Sequence, residues 1–128
     1  MPLDARLTDT ALLETRARIG ADWVSGAARF PVTNPATGDL IAEVADLGRA
    51  EAEAAIAAAE AARPAWAAML AGERAAVLRR WNDLILAHAD DLGALITAEM
   101  GKPMAEAKGE VVYGASFIEW FAEEAKRV

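Results

Sequence analysis

The stretch LITAEMGKPMAEAKGEV, residues 95–111, holds the reading on which the fold turns. Leu95 and Ile96 close an apolar series, and Gly101 supplies the left-handed stop that ends many helices. Lys102 then precedes Pro103, which suits the first position of a new helix because its missing N–H costs nothing there. The stretch therefore predicts one helix ending, a tight joint, and a second helix beginning. Backwards from the joint, Val77, Leu78, Trp81, Leu84, Ile85, His88 and Leu92 recur at steps of three and four. That periodicity predicts a single long amphipathic helix over 73–100. Forwards, a helix over 103–127 carries Glu106 early and Lys126 and Arg127 late, the polarity its dipole prefers.

Towards the N-terminus, Ala52, Ala55, Ile56 and Ala59 share a stripe that predicts a helix over 49–63, with Glu51 and Glu53 in its opening turns. Pro64 is expected to end or kink it, leaving Trp66 in the connection as a packing anchor. Residues 21–45 change texture. ADWV and RFPVTN read as extended runs, with Pro31 favouring an edge strand. NPATGD (34–39) reads as a turn, and LIAEV follows it as a strand. A small antiparallel β meander over 21–45 is the expectation, too small to stand without a partner surface. DTALLETRARI (9–19) reads as a short helix, capped by Asp9 or Thr10 and stopped by Gly20.

The chain is thus mainly α, with a small N-terminal antiparallel β meander. Its 128 residues are 55% hydrophobic, but 33 of them are alanine. Leu, Ile, Val and Phe together number 28, so large core residues are few. A net charge of −7 argues against nucleic acid, which requires clustered cations. The absence of cysteine removes disulfides, thiolate metal sites and a cysteine nucleophile. No apolar run approaches the ~20 residues of a membrane span, and the first residues lack the pattern of a signal peptide. A soluble, cytoplasmic chain is the expectation.

Residue types offer little chemistry. His88 is the only histidine and reads as a partly buried structural side chain. The adjacent pairs Asp90/Asp91 and Glu123/Glu124 diverge on a helix, so neither makes a carboxylate dyad. Glu106 and Glu110 share a face, but two carboxylates alone are too few for a metal. Neither common phosphate-binding loop occurs. Gly109 and Gly114 lie within the last helix, where each costs roughly 0.8–1 kcal/mol relative to alanine. Close approach of a neighbouring backbone or ligand would explain them; tolerated weakness is the alternative. Finally, Phe117, Ile118, Trp120 and Phe121 crowd a turn and a half with apolar groups, and a helix apolar all round needs protein on all sides.

Three stretches in order resemble the N-terminal portion of the aldehyde dehydrogenase superfamily: FPVTNPATGDLIAEV (30–44), AAIAAAEAARPAWAAM with ERAAVLRRWNDLI (54–85), and LITAEMGKPMAEAKGEV (95–111). The closing SFIEWFAEEAKRV is similar to the succinate-semialdehyde dehydrogenase branch. The resemblance implies an α/β parent fold and an enzyme that oxidises an aldehyde with NAD or NADP through a cysteine thiolate and a glutamate-activated water. In such enzymes these groups, the oxyanion asparagine and the cofactor loop lie beyond the equivalent of Val128. The isolated chain is therefore expected to be inactive and to bind no nicotinamide cofactor tightly, with no catalytic or cofactor-binding residue of its own. Its implied partner is the missing C-terminal portion of the same enzyme, in a homo-oligomeric parent. The resemblance also implies a monovalent cation between the carbonyl of Thr33 or Val32 and the Glu99 carboxylate, for which a helix-end surface carboxylate is the other reading. Met100 departs from the polar amide common at its position. Tyr113 and Phe117 are implied as lining a substrate tunnel, with core packing the alternative. A free-standing helical interaction module derived from the family is the rival reading of the chain.

Overall fold

The computed structural model describes Leu3 and residues 6–127. Among them four short strands precede four helices: β1 (Ala17–Ile19), β2 (Asp22–Val24), β3 (Ala28–Thr33), β4 (Leu40–Asp46), α1 (Arg49–Ala68), α2 (Ala71–Ala87), α3 (Ala89–Met100) and α4 (Met104–Glu124). The mainly helical class with small antiparallel strands holds.

The expected helix over 9–19 is replaced by a single 3-10 turn, Thr10–Leu12, and by β1. Asp9 does cap that turn, accepting from the Ala11 N–H at 3.0 Å. Beyond it the chain alternates, with Ala17 and Ile19 half-buried and Arg16 and Arg18 exposed, which is a strand's period. Gly20, at φ +59°, opens the two-residue loop of a β1–β2 hairpin instead of stopping a helix. The guanidinium carbons of Arg16 and Arg18 lie 5.5 and 5.2 Å from the centre of the Trp23 ring, a cation–π stack across the hairpin.

The expected single meander is two hairpins. β3 and β4 pair antiparallel around the NPATGD turn, with a register shift at Val32/Thr33. Asn34 donates to and accepts from this turn, through its N–H to Asp39 O (2.9 Å) and its carbonyl from Gly38 N (2.8 Å). The Ala45 N–H donates to Thr15 O at 2.9 Å, tying β4 to the approach of β1. Pro31 lies on β3, which pairs only with β4, as an edge strand should.

α1 does not end at Pro64 but continues to Ala68, carrying Trp66 with it. The proline removes one N–H, yet Ala61, Ala62 and Ala65, the strongest helix formers, lie within three residues of it, and the freed Glu60 carbonyl is left on an exposed face. At the next junction, Arg74 donates to Met69 O at 2.6 Å, and Glu73 reaches back to the Leu70 N–H at 2.9 Å.

The long helix over 73–100 is two helices broken at His88, whose backbone (φ −106°, ψ 19°) leaves the helical basin. His88 caps both helices, its N–H donating to Leu84 O (3.2 Å) to close α2 and its carbonyl accepting from Leu92 N (3.0 Å) to open α3, so the interruption is a one-residue kink. Asp90 and Asp91 follow in the first turn of α3, where a helix N-terminus favours negative charge. The last helix begins at Met104, with Pro103 as its N-cap rather than its first residue, and ends at Glu124.

α2, α3 and α4 pack together, while α1 rests on β1, with Ala58 beneath Gly20. The interior of this helical unit is alanine: Ala75, Ala89, Ala98, Ala107, Ala115 and Ala122 are buried, with Val111 and Leu7. α3 and α4 cross closely at Gly93, where an added Cβ would lie 3.3 Å from Lys108 N. The large residues sit outside. All four tryptophans are well exposed, from 41% at Trp66 to 64% at Trp120.

Candidate functional site

Two regions collect the residues singled out from sequence. The first is the joint between α3 and α4. Gly101 caps α3 at φ +78°, and a Cβ there would come within 3.3 Å of Pro35 Cγ. The NPATGD turn therefore packs on the end of α3, with Thr33 two residues before Pro35 and Glu99 two residues before Gly101. Folding thus brings the Thr33 and Glu99 segments to one joint. Both residues are exposed, and no group of three or more His, Cys, Asp or Glu side chains gathers among the described residues.

Beside this joint is a cleft of ≈ 440 Å³ lined by Arg6, Asn34, Thr37, Asp39, Leu40 and Ala98, among others. Its polar side chains are organised: Thr37 Oγ1 donates to Asp39 Oδ2 at 2.8 Å, and Asn34 Oδ1 accepts from Ala36 N at 2.9 Å. Glu99 itself lines a different feature, an apolar groove of ≈ 470 Å³ between α3 and α4, with Leu95, Ile96, Val111, Ile118 and Glu110. Glu110 is ion-paired with Lys102 from the joint.

The second region is the outer face of α4. Tyr113 and Phe117 form an edge-to-face ring pair with centroids 4.9 Å apart and planes at 80°. They are 66% and 48% exposed, so neither is core. At 100° per residue they lie with Trp120 opposite the buried Ala107–Val111–Ala115–Ala122 stripe. α4 therefore has two apolar faces, one buried by small residues within the chain and one aromatic and open.

Sequence reasoning weighed Asp91 only as half of a carboxylate pair and missed its role. Its side chain is only 5% exposed, and its two oxygens accept from the N–H groups of Thr8 and Asp9, each at 2.9 Å. These backbone donors hold its carboxyl below the ordinary value. Asp91 thereby pins the segment carrying Arg6 and Leu7 against the kink of α3. The available signal was its place in the first turn after His88, which was visible only once the helix was known to break there.

With this geometry described, comparison with known proteins is decisive for the family. The aldehyde dehydrogenase family profile matches residues 23–128. The chain is 52% identical over 125 residues to glutarate-semialdehyde dehydrogenase of Pseudomonas putida, covering 96% of this chain and 26% of that protein. It is 50% identical to the NADP(+) succinate-semialdehyde dehydrogenase of Escherichia coli, with the same coverages. The solved structure of succinate-semialdehyde dehydrogenase from Burkholderia pseudomallei superposes with a TM-score of 0.92 at 52% identity, covering 95% of this chain and 26% of that one. The chain belongs to the aldehyde dehydrogenase family. It spans about a quarter of the length of the curated relatives it matches.

Proposed function

We propose that this chain is the N-terminal part of an NAD(P)-dependent aldehyde dehydrogenase that oxidises a short aldehyde bearing a terminal carboxylate, succinate semialdehyde foremost. The observation that carries this reading is identity of 50–52% across 96% of the chain with semialdehyde dehydrogenases. Glutarate semialdehyde, one methylene longer, is the natural competitor, because one methylene in an apolar pocket discriminates only about 10–200-fold. In this reading the enzyme is a cytoplasmic homo-oligomer.

The chain contributes architecture rather than chemistry. It contains no cysteine, so a covalent thiohemiacetal cannot form on it. No residue here is assigned to the nicotinamide cofactor. Tyr113 and Phe117 border the path of the aldehyde, supported by their outward, paired rings on α4. A monovalent cation at the joint, held by the Thr33 or Val32 carbonyl and by Glu99, would fix the NPATGD turn to the end of α3. Hard oxygen donors suit such an ion.

The test is reconstitution. Purified 1–128 mixed with succinate semialdehyde and NADP+ should give no reduced cofactor. Joined to the cysteine-bearing remainder of the Escherichia coli relative, it should give turnover, with succinate semialdehyde favoured over simple aliphatic aldehydes. Reduction of NADP+ by the chain alone sinks the assignment of its role. In the joined protein, Tyr113→Ala should raise KM for the aldehyde severalfold more than it lowers kcat.

A further inference from the structure

The geometry points to Met104 as a methionine oxidised by peroxide whose sulfur is open on one side only, so that it is converted to a single sulfoxide epimer. The site is separate from Tyr113 and Phe117 and takes no part in the proposed aldehyde chemistry.

Met104 opens α4 at the joint with α3, and its side chain reaches back across that joint. Its Cε lies 3.2 Å from where a Cβ on Gly93 would stand, so the methyl fills the niche that the glycine leaves. Its sulfur accepts from the Thr97 hydroxyl at 3.9 Å, a long, weak bond of the kind a thioether accepts. Gly93 and Thr97 are four residues apart on one face of α3, so the thioether lies flat against that face. Met104 is nonetheless 40% exposed. One side of its sulfur therefore rests on α3 beside Thr97, and the other looks outward.

A thioether sulfur has two lone pairs, and oxidation at one or the other gives opposite epimers. Hydrogen peroxide reaches Met104 from solvent, on the side away from Thr97. The outward lone pair attacks one peroxide oxygen, forming the S–O bond as the O–O bond breaks. The departing hydroxide takes the proton from the transferred oxygen and leaves as water. The sulfur loses two electrons and the peroxide gains them. The lone pair beside the Thr97 hydroxyl takes no part, and one epimer results. Each epimer has its own reductase, so a single reductase class restores Met104. Met100, at the end of α3, makes the comparison within the same joint. It is 57% exposed, and among the described residues none donates to its sulfur, so peroxide reaches both faces.

The experiment reads the epimers directly. The 1–128 chain is partly oxidised with hydrogen peroxide and digested. The peptides holding Met100 and Met104 are then treated with the methionine sulfoxide reductase of one epimer specificity or the other, and fragment masses assign the remaining oxygen. Met104 sulfoxide should be enriched about fivefold or more in one epimer, and Met100 sulfoxide should be near parity. The excess should vanish when peroxide is applied in urea. It should also vanish in Thr97→Ala, which bares the covered face and replaces threonine with a better helix former. The chain fused to the remainder of the Escherichia coli relative should give the same epimer in excess. Parity at Met104 in the folded chain overturns the proposal, as does an excess that survives urea or Thr97→Ala. A Met104 that stays unoxidised in the fused protein overturns its standing as a site in the enzyme. Cofactor reduction is not read, so the result bears on Met104 whether or not the aldehyde reading stands.

Discussion

Asp91 shows what one side chain can organise. Its carboxylate receives two backbone N–H groups from a segment more than eighty residues away in sequence. Asp91→Asn replaces one accepting oxygen with a donor facing an N–H, so amide exchange at Thr8 and Asp9 should accelerate at least tenfold and the thermal midpoint should fall. The acid response has a definite sign. Because the folded carboxyl sits below its ordinary value of 3.8, the clamp contributes fully above that value and is lost as pH falls through the lower, folded one. Exchange protection at those two amides should therefore be flat from neutrality down to the ordinary carboxylate range and collapse only below it. At Gly93, by contrast, the limit is space. Gly93→Val would drive methyl groups into Lys108 N and Met104 Cε, 3.3 and 3.2 Å from the first added carbon, and should destabilise the α3–α4 pair by about 1–3 kcal/mol in thermal or denaturant unfolding.

Among the elements, α1 and α4 depart most from what their sequences suggest in isolation. α1 tolerates Pro64 in its interior, so Pro64→Ala should restore a hydrogen bond and increase helicity, with a gain of up to ~3 kcal/mol seen as a higher melting midpoint. Gly114→Ala on α4 meets nothing within 4 Å and should add about 0.8–1 kcal/mol to the chain alone. The positions of most helices were legible because Gly101 and Pro103 punctuate them strongly. The break at His88 was not, since the apolar period runs unbroken from Val77 to Ile96 and nothing local opposes it. The hairpin at Ala17–Val24 was hidden by Leu12 and Leu13, which lend a helical look to a segment whose arginines alternate as in a strand. Of the candidate sites, the meeting of the NPATGD turn with the end of α3 was anticipated only through family resemblance. No spacing rule connects residues so far apart. The outward direction of Tyr113 and Phe117 could have been read from the small residues at 107, 111, 115 and 122, which claim the opposite face.

At the level of the whole molecule, the chain keeps small residues inside and large ones outside. Among the described residues no helix is long and apolar enough to cross a membrane. Exposed large apolar side chains in such number, from Trp23 to Phe121, are a protein-binding feature. The chain alone should bind an apolar dye such as ANS strongly and self-associate as its concentration rises, and both signals should fall when the catalytic remainder is supplied. A monodisperse, dye-silent 1–128 would favour a free-standing module instead.

The inverted placement of small and large residues also sets what selection can see. A mutational scan scored on folding of the chain alone would rank Ala107 and Ala115 as intolerant and Trp120 as nearly free to vary. A scan scored on growth that depends on aldehyde oxidation, the proposed activity of the whole enzyme, would add Phe117 and Trp120 to the intolerant set. The difference between the two maps would draw, residue by residue, the outline of the surface that the proposed remainder of the enzyme covers.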